Sequence, residues 1–245
     1  MVKLLIEHSV EVNRSTLEGM TPVHYTAMAG NTDVLRCLVE AGADLETVNE
    51  SGTTALMYAS RYGRVGTVIF LLQYGANIEQ VNMNDNNPLL VAAFHGHMDV
   101  VRVLVQRGAN KDSQSPSGTA LYRAVQEGHL AVVQYLIQKG ADVNIRGGEF
   151  QLTPLEKSIL SLMTGQDEIT KFLLDHGAIT STNLVANTSP LMCAIRVGKL
   201  SIVRNLVHHG ADLTSPNATG MTHVAYARTE GHEDVATFLL EQGAV

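Results

Sequence analysis

A glycine-alanine step returns through this chain at a nearly constant interval, and no other feature restricts the fold as strongly. It falls at Gly42, Gly75, Gly108, Gly140, Gly177, Gly210 and Gly243, with 33 residues in four of the six intervals and 32 and 37 in the other two. A second marker keeps the same register: Thr21-Pro22-Val23-His24, Thr54-Ala55-Leu56, Asn87-Pro88-Leu89, Thr119-Ala120-Leu121, Thr153-Pro154-Leu155, Ser189-Pro190-Leu191 and Thr222-His223-Val224. Self-similarity at a period of roughly 20–50 residues marks a stack of small units rather than a globule with one centre.

The segment Gly118–Asn144 shows what one unit contains. Thr119 stands where a side-chain oxygen can cap a helix N-terminus. Leu121, Ala124 and Val125 then recur at helical spacing, and Gly128 ends the helix. His129-Leu130 opens a second helix whose inward stripe is Val132, Val133, Leu136 and Ile137. Gly140 sits where the chain needs positive φ, which glycine adopts without a steric penalty. Prolines 22, 88, 154 and 190 fall on the first helical position, where a missing N–H costs nothing. Two amphipathic helices this short cannot bury their own faces, so each unit needs a neighbour on either side.

With the T-P-L-H, G-H and G-A-D-x-N positions present in register, and Thr21-Pro22-Val23-His24 the nearest to the first of them, the chain resembles an ankyrin-repeat array from end to end. The resemblance implies an all-α fold, a solenoid of helix-turn-helix units with short β-turn fingers. Seven repeats are expected over approximately 16–48, 49–81, 82–114, 115–147, 148–182, 183–216 and 217–245, as one continuous array. Residues 1–15 are expected to form a partial repeat, with Val2–Asn13 matching a second helix and its exit turn. The fifth repeat carries about three extra residues within Ser161–Asp167, in the turn between its helices. The chain starts inside a repeat and stops at Gly243-Ala244-Val245 without an added polar helix, which predicts either a piece of a longer array or ends that something else covers.

Composition narrows the chemistry. The charge balance is 17 basic against 24 acidic residues, a formal −7, without the basic excess of a general nucleic-acid binder. Apolar residues make up 45% of the chain, yet no stretch approaches the ~20 consecutive ones that span a bilayer, so no membrane insertion is expected. Cys37 and Cys193 lie in different repeats on inward stripes, which predicts reduced core residues and a cytoplasmic or nuclear location. His24, His97, His129 and His232 occupy the T-P-L-H and G-H positions, where the family uses histidine for structural hydrogen bonds. His95-x-His97 and His208-His209 have no cysteine or carboxylate beside them at zinc spacing, so no metal and no cofactor are expected. The nucleophile-elbow, phosphate-loop and zinc-protease patterns are absent, and the chain is read as a non-enzyme.

The resemblance implies a protein-binding scaffold. Ankyrin arrays take their partners across the β-turn fingers and first-helix surface, on the concave side. Carrying those variable positions onto this sequence gives Leu17, Met20, Met28, Arg61, Tyr62, Met83, Phe94, His95, Phe150, Leu152 and Arg196 as partner-binding residues. The apolar members on the first three repeats are the expected centre of the site, because aromatic residues, methionine and arginine are enriched at interface cores. A protein or peptide partner is therefore expected, in an adaptor or signalling context. The alternative is a structural spacer or self-association module, using the uncapped ends at Val2–Val12 and Thr237–Val245. Resemblance to the family also offers Asn144, with Leu136 eight residues earlier, and Asn13, with Leu5, as hydroxylation positions. Turn stabilisation is the favoured role for both.

Overall fold

The computed structural model describes residues 11–161, 165–180, 189–216 and 219–244. Val2–Val10 (Leu5 included), Leu162-Met163 and Val245 lie outside the described residues. Every regular element among those described is a helix, apart from isolated β-bridges at three fingers. The chain divides into two compact units, Met1–Arg123 and Ala124–Val245.

The first unit stacks α1 (Pro22–Ala29), α2 (Thr32–Glu40), α3 (Ala55–Arg61), α4 (Val65–Gln73), α5 (Pro88–Phe94) and α6 (Met98–Gln106). Helix α7 (Ala120–Gln126) runs across the division. The second unit stacks α8 (Leu130–Gln138), α9 (Pro154–Leu160), α10 (Gln166–Asp175), α11 (Pro190–Val197), α12 (Leu200–His208), α13 (His223–Thr229) and α14 (Glu233–Glu241). Each unit is therefore an all-α stack of helix pairs. First helices pack on first helices and second helices on second helices, as α1 does on α3 and α3 on α5.

The first helices are built for that stacking. Six of the seven start at a residue whose side chain caps them: Thr54, Asn87, Thr119, Thr153, Ser189 and Thr222 all accept the backbone N–H three residues on. Small residues such as Ala27, Ala59, Ala92 and Ala93 then sit fully buried, letting neighbouring backbones approach. Leu35, Leu71 and Leu104 fill the layer behind them with no exposed surface. Deleting one such leucine side chain removes on the order of 2–5 kcal/mol.

Two kinds of polar link join one repeat to the next, and the first of them recurs. In the first, the residue opening a second helix reaches back to a carbonyl at the end of the previous first helix. Arg64 Nε donates to Met28 O (3.0 Å), His97 Nε2 to Arg61 O (2.8 Å), Lys199 Nζ to Ser161 O (3.3 Å) and His232 Nε2 to Arg196 O (3.3 Å). The G-H position is thus structural at His97 and His232. Its reach also explains the preceding turn glycine, since a Cβ on Gly63 would lie 2.7 Å from His97 Nδ1, and Gly63 has φ +66°. At the start of α10 the donor is different: Gln166, buried, donates Nε2 to Val125 O at 2.8 Å.

The second link is His24. Its Nδ1 lies 3.1 Å from Thr21 N and 2.9 Å from Thr21 Oγ1, while Nε2 lies 3.1 Å from Thr53 O of the next repeat. A backbone N–H can only donate, so Nδ1 accepts and Nε2 carries the proton. The ring is held neutral, and burial lowers its pKa further from 6.5.

Two predictions follow from these links. Gly63→Ala should destabilise more than His97→Ala, because it adds a positive-φ penalty of ~1 kcal/mol and a clash to the loss of a hydrogen bond of ~0.5–1.5 kcal/mol; urea midpoints of both variants check the order. His24 takes up a proton on unfolding more readily than when folded, so stability falls as pH drops below about 6.5. The fall in urea midpoint between about pH 7.5 and pH 5.5 should shrink in His24→Gln, leaving the share that other buried histidines such as His223 contribute.

Candidate functional site

The fingers of the first unit are set by asparagine. Asn49 Oδ1 accepts from Ser51 N and Thr53 N, and Asn82 Oδ1 accepts from Asn84 N and Asn86 N, so each side chain closes a turn on itself. Neighbouring fingers then touch through backbone. Glu50 N donates to Glu18 O and Met83 N to Ser51 O, both at 3.0 Å. Gly19 and Gly52 allow the contact, since a Cβ on either would press on the next finger's backbone at 3.0–3.2 Å.

This lattice decides which side chains face outward. Leu17 is 98% exposed and Met83 77%, both at finger tips. Tyr62, just past the end of α3, is 42% exposed, and the Arg61 guanidinium lies 5.9 Å from its ring centre. Met28, Phe94 and His95 are half-buried, and Arg61 is exposed. Two expectations fail. Met20 and Leu152 are buried, at 6% and 9% exposure, so neither presents a side chain to a partner. Both directly precede the capping threonine of a first helix, at the root of the finger. At the same position Thr53 and Asn86 carry polar side chains and are only half-buried.

Those two polar residues help to open a cleft. A space of 230 Å³ is lined by Thr53, Met57, Arg61, Asn82, Asn84, Asn86, Val91, Phe94, His95 and Arg123. It brings together three residues picked from the sequence: Arg61, Phe94 and His95. Sequence reasoning missed Arg123. Its guanidinium carbon sits 4.1 Å above the centre of the Phe94 ring, in cation–π geometry, while the His95 ring meets Phe94 edge-on at 5.0 Å. The signal was present: in the column held by Tyr25, Tyr58 and Val91 in the preceding repeats, the fourth repeat has an arginine. Aspartate and glutamate are absent from the lining.

In the second unit Phe150 is 71% exposed on its finger, and Arg196 is exposed at the end of α11. The two asparagine candidates share one structural role. Asn13 Oδ1 accepts from Asp44 N (2.9 Å) and its Nδ2 donates to Gly42 O (3.2 Å). Asn144 makes the same pair with Ile179 N (2.9 Å) and Gly177 O (3.3 Å). Each side chain clamps the turn of the following repeat. Glu46 and Glu79 take over the acceptor half of that clamp, on Asn77 N and Asn110 N.

Cys193 is buried and its thiol is pushed up to about 11 by desolvation, which leaves it unreactive at neutral pH. Cys37 is half-buried rather than a full member of the core. Among the described residues no group of three histidine, cysteine or acidic side chains is placed to hold a metal, and no helix is long and apolar enough to cross a membrane.

Comparison with known proteins agrees with this architecture. The model for ankyrin repeats (3 copies) matches residues 1–82, 75–147 and 158–245, and that for ankyrin repeats (many copies) matches 121–174. Among solved structures, the human ASB11 ankyrin repeat domain is similar in fold, with a TM-score of 0.76 and 24% sequence identity over 90% of this chain and 98% of that one. Repeats of this type are generally protein-interaction modules without catalytic activity of their own. Period, caps, turn glycines, histidine links and family match all agree, and this chain belongs to the ankyrin-repeat family.

Proposed function

We propose that this chain is a scaffold that binds an extended protein segment across the fingers and first helices of its first unit. Leu17, Tyr62 and Met83 carry the reading. They are large apolar side chains, exposed on successive repeats whose fingers are joined by backbone hydrogen bonds. Nothing in the stacking of the repeats requires those residue types there. Large apolar groups left in water next to an arginine are the composition of an interface centre. Arg61 adds a cation beside Tyr62, a pair suited to anchoring a chain. The polar fingers around them supply a hydrophilic rim.

Phe94 has a different part in this reading from the other aromatic residue. It is half-buried beneath Arg123, so it forms the wall of the cleft rather than a free anchor. Substitution at Phe94 would disturb packing as well as binding, and the test is best confined to exposed residues. The cytoplasm or nucleus, where a scaffold of this kind meets signalling proteins, is the proposed location.

The triple variant Leu17→Ser, Tyr62→Ala, Met83→Ala should lose capture of its partner from native lysate by tenfold or more, as removal of about 1–2 kcal/mol at each of several anchors implies. Its thermal midpoint should stay within a few degrees of the parent, because surface changes move stability by only about ±0.5 kcal/mol. Undiminished capture by the triple variant would remove this face as the binding surface.

A further inference from the structure

The cleft between the second and fourth repeats stands apart electrostatically from the chain that carries it. The whole protein has a formal charge of −7. Yet the cleft is lined by two arginines and a histidine, and by no acidic residue. Among the described residues Arg61 forms no ion pair. The Arg123 guanidinium carbon sits 4.1 Å over the centre of the Phe94 ring, a contact that holds its charge at the wall of the cleft. A planar guanidinium such as that of the exposed Arg61 suits a carboxylate, which it can grip through two parallel N–H donors. The space of 230 Å³ is smaller than the ~300–1,000 Å³ of a typical small-molecule site, so it fits one side chain better than a whole metabolite.

Resting on the scaffold reading above, we propose that this cleft receives the carboxylate of a single aspartate or glutamate side chain in the bound segment. Arg61 grips the carboxylate, the charge of Arg123 lies along the same wall, Phe94 contacts the methylene stem, and Asn84 on the exposed finger faces the segment's backbone. An apolar residue next to the acid then lies towards Tyr62 or Met83. Glu18, Glu50 and Asp85 sit on the same fingers outside the lining. They repel additional negative charge, so the site accepts one acid within a neutral or apolar context and rejects an acidic run.

A random-sequence peptide library, displayed with its C-terminus fused and so without a free terminal carboxylate, is selected on the full chain. The expected result is enrichment of sequences with one Asp or Glu beside a large apolar residue. Changing that acid to its amide should weaken binding by about tenfold or more, the loss expected for a hydrogen bond to a charged group. Arg61→Glu, an exposed substitution that spares the fold, should lose the same peptides and select ones with a basic residue instead. Added salt should weaken the parent's binding. Enriched peptides without an acidic position, or acidic peptides held equally by Arg61→Glu, would overturn the inference. If such peptides still depend on Tyr62 and Met83, the scaffold reading stands without it. Failure to enrich any peptide would remove both.

Discussion

Everything in this protein depends on the burial of one repeat's apolar faces by the next. A helix of seven to nine residues, such as α3 or α4, is too short to persist alone in water. It exists because Ala59, Leu71 and their equivalents lose all contact with solvent only when the neighbouring pair is present. The polar links refine this arrangement rather than create it. His97 on Arg61 O, or His24 on Thr53 O, contributes about 1 kcal/mol. Because these links run from one repeat to the next, they fix the angle at which the greasy faces meet.

That division of labour leaves the outer surface free. Stability is held by the stripes, the turn glycines and the backward-reaching residue before each second helix. Finger tips and the ends of first helices contribute little to it and can vary with the partner. The first unit uses this freedom in two ways. At the tips, Leu17 and Met83 project into solvent from turns that asparagine and threonine close beneath them. Lower down, polar Thr53 and Asn86 stand where Met20 and Leu152 fill the same position elsewhere, and a cleft results. An apolar residue at the finger root is drawn under the adjacent finger by the hydrophobic effect, whereas a polar one stays at the edge.

The clamp at the base of the fingers illustrates how several side chains can solve one geometric demand. Asn13 and Asn144 satisfy both a donor and an acceptor of the following turn, while Glu46 and Glu79 satisfy the N–H alone. The start of α10 is a comparable case. No histidine opens α10, and Gln166 supplies the donor to Val125 O instead. Function at the sequence level is therefore carried by the bond to be made, and residue identity follows with some latitude.

From its sequence alone this chain declared its period, its helix caps, its turn glycines and the structural use of His24, His97 and His232. Each of these is a local requirement, set by backbone conformation or by a partner at a fixed distance along the repeat. Tyr62, Met83 and Leu17 were legible as outward residues for the same reason. Burial of Met20, and the meeting of Arg123 with Phe94, could be decided only in three dimensions. Met20 and Met83 are the same residue type, but Met20 stands at the root of its finger, against Asn49 of the next repeat, whereas Met83 stands at the tip of its own and is 77% exposed. Arg123 and Phe94 belong to different repeats, and their contact depends on the rise and rotation from one helix pair to the next, which no single repeat encodes.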